Sequence, residues 1–488
     1  MTSTSPNINR WRAFALLAVS YFMTIIDLTI VNVSLPTIGR DLHFSETSLQ
    51  WVVTAYAITF GGFLLLGGRA ADLLGRRRIL MLGLAVFTAA SLSCGLATSE
   101  VFLIGSRAVQ GLGAASMVPA AMSIVMNMFE EGAERNKALG IWGGLAAAGA
   151  TVGLIGGGLL TRYAGWQYIF YLNIPIGAAA LALAPRLVPD SRPATVRRRF
   201  DALGAIAGTV GLLLLVDAIS GATQYGWEST RTIALLAGSA ALLVAFATIE
   251  SRAQDPLLPL SIFRLRTLAA ANIAALLSSA SFFGFIFVGT LYMQQVLHYS
   301  ALETGVAWLA TSLSSIALAG LSQKLVTRRG AKLVMTIGMA LIGAGVIWAS
   351  QEPIHGHFLA NLAAPMVITG AGTAFAFIPI SIAALAGVAE QQSGVASGLM
   401  NTSRQLGGGI GIAIASSVAA GHTNTLLHAG HAAPAALTGG FQQALWVLGA
   451  IGLLAIPAIF ALIRRNETSE EMAKTTAREP QPALATSS

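Results

Sequence analysis

Four charged residues interrupt apolar stretches of this chain: Asp27, Arg107, Asp217 and Arg404. Charges in apolar surroundings are costly, and residues that carry them commonly serve in binding or proton transfer. A carboxylate in a medium of low dielectric takes up or releases a proton when a positive partner withdraws or approaches. These residue types therefore favour proton-coupled chemistry, with Asp27, Arg107 and Asp217 as the candidate coupling residues.

Asp27 and Arg107 are predicted at similar depths on different helices. Asp27 lies about eight residues from the outer end of the first apolar run, and Arg107 about six residues from the outer end of the fourth. At 1.5 Å per residue these depths differ by about 3 Å, so the two charges can pair. The pair predicts either a proton-coupling site or a structural ion pair that locks two helices. Asp217, near the outer end of the seventh run, either contacts a substrate cation or reaches the interface.

The overall composition indicates what surrounds these charges. The 488 residues are 55% hydrophobic and 10% charged, whereas soluble domains are about 25% charged. A water-soluble protein of this size needs a mostly polar surface, so the composition predicts a lipid-facing exterior. The single cysteine, Cys94, excludes an internal disulfide.

Apolar runs long enough to cross a membrane follow one another along the chain. Such a helix needs about 20 residues. We find fourteen runs, which begin near Arg12, Leu49, Ile79, Val101, Ala138, Trp166, Leu203, Thr232, Leu268, Thr304, Leu333, Leu359, Ser397 and Gln442. Twelve is the alternative count, because Gly and Pro blur the boundaries near Leu359 and Gly387.

The basic residues predict the orientation of these runs. With the N-terminus in the cytoplasm, Arg40, Arg162 and Arg231 fall outside and Arg107 and Arg404 fall within runs. The remaining 24 of the 29 basic residues fall on the cytoplasmic side. Because membrane proteins retain basic loops in the cytoplasm, both termini are predicted to be cytoplasmic.

Two basic or Pro-rich segments divide the chain. Pro185–Asp201 follows six runs, and Glu250–Phe263 follows two more and precedes the last six. We therefore predict an all-α membrane protein with an N-terminal six-helix bundle over residues 1–187, a two-helix insertion over 188–255 and a C-terminal six-helix bundle over 256–463. Residues 464–488 form a polar tail that is predicted to be disordered and cytoplasmic.

The loop after the second run combines glycines with charge. It contains Gly68, Asp72, Gly75, Arg76 and Arg77. This spacing predicts a tight, charged turn that clamps a neighbouring helix end and gates a conformational change. The alternative is that its arginines only set the topology.

The fifth run is rich in glycine. Its glycines are Gly140, Gly149, Gly153, Gly157 and Gly158. Spaced glycines let two helices approach closely. They predict either plain packing or a bend and seal that gates transport.

Taken together, these motifs resemble the major facilitator superfamily, specifically its fourteen-helix drug/proton antiporter branch of the EmrB/QacA type. Further matches are the Asp27 segment Ile26–Pro36, Arg107-x-x-Gln110-Gly111-x-Gly113, Trp166 with Phe170-x-x-Asn173-x-Pro175-x-Gly177, the segment Glu250–Arg264, and Ser397-Gly398-x-x-Asn401-Thr402-x-Arg404-Gln405-x-Gly407-Gly408. The resemblance covers nearly the whole chain. It implies two six-helix bundles around a central cavity, an extra helix pair between them, and transport by alternating access.

Three positions depart from the family pattern. Leu154 stands where the antiporter motif of the fifth run has proline, and Trp166-Gln167-Tyr168 replaces an aromatic-Arg-aromatic sequence. In the second copy of the loop motif, Gly320–Gly330, Thr327 stands where an aspartate would match.

Aromatic and polar side chains supply candidates for the substrate cavity. Aromatic faces suit apolar or cationic compounds. The candidates are Trp51, Tyr56, Phe60, Phe283, Tyr292, Met293, Trp308, Asn401, Arg404 and Gln405. Packing against lipid or neighbouring helices is the alternative for each aromatic residue. The seven histidines are all predicted in outside loops, so carboxylates must carry any proton.

These observations favour a secondary transporter that exports small hydrophobic or cationic drugs or natural products against proton entry. An importer or a lipid or metabolite translocator on the same scaffold is the alternative, and Leu154 favours it slightly. An enzyme is not supported, since no metal-spaced cluster, P-loop or nucleophile with a base appears. We expect no metal and no cofactor other than the coupled proton.

The expected partners are a small-molecule substrate and membrane lipid, without nucleic acid, and the expected state is a monomer. The expected location is the bacterial cytoplasmic membrane.

Overall fold

The computed structural model describes residues 10–129, 133–189, 202–253, 256, 263–388 and 393–463, and these residues are predominantly helical. The first half of the chain forms α1 (Arg10–Asp41), α2 (Glu46–Leu49), α3 (Trp51–Leu74), α4 (Arg76–Gly95), α5 (Glu100–Met128), α6 (Ala133–Tyr163), α7 (Gln167–Tyr171) and α8 (Asn173–Leu187). Next come α9 (Ala202–Tyr225) and α10 (Thr230–Arg252).

The second half repeats the pattern. It forms α11 (Arg266–Leu291) with a π-helical turn (Tyr292–Val296), α12 (Ala301–Ala307), α13 (Leu309–Arg329), α14 (Ala331–Ala349), a π-helical turn (Phe358–Leu362) leading into α15 (Ala363–Leu385), α16 (Ser393–His428), α17 (Ala433–Leu453) and α18 (Ala455–Leu462).

The number of membrane-spanning helices agrees with the sequence. In the described ranges, 12 helical segments are long and apolar enough to cross a membrane. The helices α6 and α9, of 31 and 24 residues, add two more. The predicted all-α membrane architecture is confirmed. The predicted tail over residues 464–488 and the boundary at 255/256 fall largely outside the described residues.

Single glycines join helices at matching places in the two halves. Gly75, with φ of 101°, separates α3 from α4, and Gly330, with φ of 81°, separates α13 from α14. A side chain at positive φ is strained, so glycine allows the chain to reverse within one residue. This agreement reflects the repeat predicted from the loop motif.

One apolar core connects the two bundles at one end. We call the end that holds the predicted outside loops the outer end. The largest core runs through the C-terminal bundle and continues into the outer half of the N-terminal bundle, where it includes Ile30, Leu35 and Val52. The other half of the N-terminal bundle has its own core, which includes Phe14 and Phe87. The two bundles therefore share one apolar core at the outer end.

The extra helix pair lies against the junction of the bundles. Val216 of α9 packs with Ile58 of α3 and Ala413 of α16. Ser417 of α16 also donates a hydrogen bond to the carbonyl of Ile219, at 3.0 Å. The helix α9 thus contacts both bundles, and α10 packs on α9.

The histidine prediction is wrong in part. His422 and His428 lie in the last turns of α16, because that helix continues to His428. The other described histidines lie outside helices, and His43 and His298 have positive φ.

Candidate functional site

Asp27 lies near the middle of α1 with no exposed surface. Its Oδ2 accepts a hydrogen bond from Arg107 Nη1 at 2.5 Å. Its Oδ1 accepts from Gln110 Nε2 at 2.8 Å and from Asn173 Nδ2 at 2.9 Å. The structure thus brings the predicted pair together and adds two amide donors, a set of contacts that stabilises an ionised carboxylate.

Arg107 is held on its other sides as well. Its Nε donates to the carbonyl of Val52 at 2.8 Å, and its Nη1 donates to Gln110 Oε1 at 2.6 Å. The guanidinium lies 4.3 Å from the ring centroid of Tyr56 and 5.7 Å from that of Phe170. Among the described residues, Arg107 Nη2 and the Tyr56 hydroxyl have no hydrogen-bond partner. This charge is fully buried and is stabilised by one carboxylate and two aromatic faces.

Four helices supply the network. Arg107 and Gln110 stand three residues apart on α5, so they share a helix face. Ser91 of α4 accepts hydrogen bonds from Gln110 at 2.7 Å and from Asn173 at 3.3 Å. Asn173 begins α8 because the sixth span breaks at Leu172, and Pro175 has no N–H to continue the helix across that break.

The glycines of α6 hold α1 in position. A Cβ atom on Gly153 would lie 3.0 Å from the carbonyl oxygen of Ile26, and one on Gly157 would lie 2.6 Å from that of Ile30. Gly149 faces the side chain of Ile25 in the same way. These three glycines, four residues apart, therefore place α6 directly against the helix that carries Asp27.

This arrangement links protonation to helix movement. Protonating Asp27 would leave Arg107 as a buried charge without its counter-ion, which is strongly unfavourable. Moving α5 relative to α1 would separate the pair and leave the carboxylate to take up a proton. The network can therefore exchange a proton only when its helices rearrange.

Asp217 is not part of the network. It pairs with Arg231 at 3.4 Å, and the two side chains are 36% and 45% exposed. Arg231 also lies 4.1 Å from the ring centroid of Tyr225. Exposed pairs of this kind contribute little energy. Asp217 therefore lies at the surface of the extra helix pair, and its role in proton coupling stays a prediction.

The charged loop ties helix ends together. Arg77 Nη1 donates to the carbonyls of Pro185 at 3.4 Å and Val188 at 3.3 Å, at the end of α8. Lys332 donates in the same way to Phe460 and Ile463, at the end of α18. Cations at carbonyl-rich helix ends are stabilising. The side chain of Asp72 is not among the described side chains. Gly68 lies on α3, Arg76 begins α4, and Gly75 separates the two helices. The gating role of this loop stays a prediction.

The two bundles touch at the outer end through α6 and α12. A Cβ atom on Gly158 would lie 2.5 Å from the carbonyl oxygen of Ala301, and one on Gly305 would lie 2.5 Å from that of Leu154. Arg162 donates to Ser300 at 3.1 Å beside them. The helix α6 remains continuous through Leu154, where the family pattern has proline. We call these contacts the outer seal.

The predicted cavity residues separate into two groups. Tyr292, Met293 and Trp308 are at most 1% exposed and lie in the core of the C-terminal bundle, so the structure does not bring them to a cavity. Their apolar surfaces are covered by neighbouring side chains. Trp308 Nε1 also donates a hydrogen bond to the hydroxyl of Thr290 at 3.1 Å.

The second group lies nearer the junction of the bundles. Tyr56 and Phe60 are 0% and 6% exposed and contact each other beside Arg107. Trp51 and Phe283 are partly buried, Asn401 is exposed, and the side chain of Gln405 faces Gly61 of α3. Tyr56 and Phe60 belong to the core of the N-terminal bundle, whereas Phe283 and Gln405 lie where one bundle contacts the other.

Arg404 lies in this second group without a negative partner. Its Nη2 donates to the carbonyl of Phe377 at 3.0 Å and to the hydroxyl of Ser381 at 3.1 Å, both on α15. The guanidinium lies 4.8 Å from the ring centroid of Phe377. Its Nε has no hydrogen-bond partner among the described residues.

Sequence reasoning left several residues of these sites unassigned. Gln110 and Asn173 stand in quoted motifs, and the three-residue spacing from Arg107 to Gln110 would have indicated one helix face. Ser91 gives no signal in the sequence. Glu352 lies in a polar loop of the sequence, yet it is only 3% exposed in the structure.

Comparisons with known proteins show which family the chain resembles over most of its length. The model of the Major Facilitator Superfamily matches residues 17–412. The puromycin resistance protein pur8 of Streptomyces alboniger is 36% identical over 476 residues, covering 96% of this chain and 94% of that protein. The cephamycin export protein CmcT of Amycolatopsis lactamdurans is 37% identical over 426 residues, covering 86% of this chain and 87% of that protein.

A solved structure has the same fold. It is the crystal structure of a bacterial homologue of the human lysosomal transporter Spinster, in an inward-facing and unoccupied conformation. It matches with a TM-score of 0.63 at 16% identity, covering 96% of this chain and 98% of that one. At this identity the likeness concerns the fold alone.

Proposed function

The chain belongs to the Major Facilitator Superfamily, and we propose that it exports small, largely apolar compounds in exchange for protons. It is a transporter rather than an enzyme, since the family and its similar relatives are transporters. Two relatives are named for resistance to puromycin and export of cephamycin. Their names support a drug or natural product as the substrate.

The observation that carries the proposal is the buried Asp27 network. Asp27 and Arg107 are both fully buried, and they pair at 2.5 Å on different helices. The pair is stable as long as α1 and α5 keep their positions. When transport moves these helices, Asp27 becomes free to bind a proton, and its return to Arg107 releases that proton.

The outer seal supplies the second half of the cycle. In the described conformation the outer ends of α6 and α12 are in contact. Opening this seal would expose the space between the bundles to the outside. We propose that protonation of Asp27 accompanies that opening, so that proton entry and substrate exit alternate.

The proposed location is the bacterial cytoplasmic membrane, with both termini and the Arg76–Arg77 loop in the cytoplasm. The bias of basic residues supports this orientation. The bacterial sources of the relatives support the choice of membrane.

The substrate must be found before coupling is tested. A growth-inhibition panel that includes puromycin and a cephamycin, with and without the expressed protein, identifies a compound to which the protein gives resistance. That compound is then loaded into proteoliposomes with a pH-sensitive dye. Substrate-dependent proton movement in the opposite direction supports antiport.

The Asp27→Asn variant tests the coupling residue. We expect loss of transport driven by a pH gradient, whereas substrate exchange without a gradient persists, because asparagine keeps the shape but cannot carry the proton. Asp217→Asn is the matched control, since its carboxylate lies in the exposed pair with Arg231. Full gradient-driven transport by Asp27→Asn would place the coupling site elsewhere.

One observation favours a second function. Leu154 leaves α6 continuous where exporters of this family have proline. An importer or a lipid or metabolite translocator would move protons and substrate in the same direction, or move substrate without protons. The direction of proton movement in the same proteoliposomes separates these functions.

A further inference from the structure

Arg404 differs from the other deep arginine of the chain in having no counter-ion. Arg107 pairs with Asp27, whereas no carboxylate of the described residues forms an ion pair with Arg404. Its two hydrogen bonds go to a backbone carbonyl and a hydroxyl, which are neutral groups. A partly buried cation of this kind would be stabilised by a negatively charged partner.

Arg404 faces the other bundle at a defined depth. It stands eleven residues after the start of α16, and Tyr21 stands eleven residues after the start of α1. Both residues are therefore about 17 Å along their helices. Tyr21 interacts electrostatically with Arg404 across the junction. Asn401, one turn earlier on the same face of α16, is exposed, so this face is open to a ligand.

Aromatic rings surround the cation on both sides of the junction. Tyr21 stacks on Trp142 with ring centroids 4.3 Å apart. On the other side, Phe377 lies under Arg404, and its ring centroid is 6.0 Å from that of Phe282. Rings of this kind accommodate an apolar body, and polar groups among them orient it.

The charge balance at the junction selects the sign of the ligand. The charge of Asp27 is neutralised by Arg107 within a network that has no exposed surface. Arg404 is therefore a partly buried charge at the junction with which no carboxylate of the described residues forms an ion pair. A cationic compound would be repelled there, whereas an anionic group would be stabilised by a guanidinium in low dielectric.

We propose that Arg404 binds the anionic group of the transported compound, while Tyr21, Trp142, Phe282 and Phe377 hold its apolar body. The substrates are accordingly aromatic or other apolar compounds that carry a carboxylate, sulfonate or phosphate. This inference rests on the proposed transport function, and it replaces the expectation of cationic substrates that the aromatic residues suggested. The guanidinium N–H groups that are not bonded to α15 would donate hydrogen bonds to the anion.

A matched pair of fluorescent ligands tests the proposal by binding alone. Anilinonaphthalene sulfonate and N-phenylnaphthylamine share one aromatic framework, and only the first carries a negative charge. Each is titrated against purified protein in nanodiscs of zwitterionic phosphatidylcholine, with empty nanodiscs subtracted. We expect the wild-type protein to bind the sulfonate about tenfold or more tightly than the neutral amine, because the charge-assisted contact is added.

The variants separate ligand binding from a structural role. Arg404→Gln should lose the preference for the sulfonate and leave the affinity for the neutral amine unchanged. Arg404→Lys, which keeps the charge but not the planar fork, should keep part of the preference. Ser381→Ala is the matched control, because it removes one of the contacts of Arg404 with α15 and leaves the charge in place.

Three results decide the proposal. Equal weakening of both ligands by Arg404→Gln, in protein that elutes as a monodisperse peak, would mean that Arg404 only ties α16 to α15 and would overturn it. Absence of any preference in the wild-type protein would overturn it as well. Competition between phosphatidylglycerol and the sulfonate that depends on Arg404 would support the anion site and identify a lipid head group as its occupant.

The test is independent of proton coupling. The binding measurement needs no gradient, so the preference of Arg404 for an anion can hold even if Asp27→Asn leaves coupling intact. Conversely, the loss of coupling in Asp27→Asn does not depend on the sign of the ligand. Failure of one idea is therefore distinguishable from failure of the other.

Discussion

Asp27 and Glu352 are both buried carboxylates, and their surroundings give them opposite properties. Asp27 receives hydrogen bonds from three side chains. Glu352, in the loop between α14 and α15, is 3% exposed, and its Oε2 has no hydrogen-bond partner among the described residues. Burial raises the pKa of Glu352 well above its usual range. Asp27 is surrounded by hydrogen-bond donors, whereas burial of Glu352 favours its protonated form.

Glu352 should therefore make stability depend on pH. Its contribution is fully present below the pKa of about 4.3 that it has in the unfolded chain, and it is lost as pH rises through the folded pKa. Tyr292, which donates to the carbonyl of the next residue, Pro353, at 2.5 Å, is the titratable group that its charge affects. We expect Glu352→Gln to be more stable than the wild-type protein at pH 8, by roughly 1–3 kcal/mol, with the difference shrinking towards pH 5.

Thermal unfolding in detergent at several pH values measures this effect. Glu228→Gln is the control. Because Glu228 is exposed in the loop before α10, this substitution should change the midpoint of thermal unfolding little at any pH. A constant difference between Glu352→Gln and the wild-type protein across the pH range would contradict the assignment.

The helix α6 makes contacts on two faces, one with α1 and the other with the C-terminal bundle. Gly149, Gly153 and Gly157 bring it against α1, which carries Asp27. Gly158, the next residue, brings it against Ala301 of the other bundle. One helix therefore joins the Asp27 network to the outer seal. A displacement at one face is expected to shift the other, because close-packed helices move as rigid elements.

A side chain at Gly158 should open the outer seal. The Cβ of Gly158→Ala would lie 2.5 Å from the carbonyl oxygen of Ala301 and 2.8 Å from the Cα of Leu302, so the backbones must separate. We expect transport to fall several-fold, in line with overpacking costs of about 1–3 kcal/mol. Gln294 donates a hydrogen bond to the carbonyl of Val33 at the junction, so Gln294→Cys is a probe of this contact. We expect this cysteine to react faster with a membrane-impermeant maleimide in the Gly158→Ala protein than in the parent.

Gly156→Ala is the matched control on the same helix. Nothing lies within 4 Å of a Cβ atom at Gly156, so this variant should transport and react as the parent does. Both variants carry Cys94→Ala, which removes the buried native thiol. Equal labelling in the two variants would mean that the Gly158 contact does not close the outer end.

The two bundles are asymmetric in the described conformation. Their outer halves share one apolar core, whereas the remaining half of the N-terminal bundle packs on its own. In the proposed alternating-access cycle, such an asymmetry would let one end of the junction open while the other stays packed. Which side of the membrane the sealed end faces depends on the orientation of the chain.

Cysteine labelling should establish that orientation. In a Cys94→Ala background, His355→Cys and His428→Cys occupy exposed positions at the outer end and should react with an impermeant maleimide in intact cells. Arg198→Cys lies in the basic stretch before α9 and should react only after the cells are opened. Labelling of Arg198→Cys in intact cells would overturn the proposed topology.

Much of the architecture was accessible from sequence alone. The position of Asp27 and Arg107 in apolar runs predicted their pairing, and Gly75 and Gly330 predicted the tight turns between helices. The cavity was less accessible. Tyr292 and Trp308 are residue types that suit a substrate cavity, but the structure buries both in the C-terminal core. Asp217 was predicted near the outer end of its apolar run, and the structure adds its partner Arg231 on the next helix.

Local properties explain what the sequence determined by itself: the membrane class, the helical segments and the polarity of the loops. Each depends on about 20 consecutive residues or on nearby charges, and lipid imposes the same requirement on every segment. The partners of each charge were decided only by the tertiary structure. Asn173 reaches Asp27 across 146 residues of chain, while Arg404 finds no carboxylate on any described helix that surrounds it. Such contacts depend on how helices far apart in sequence are packed, and no local pattern records that packing.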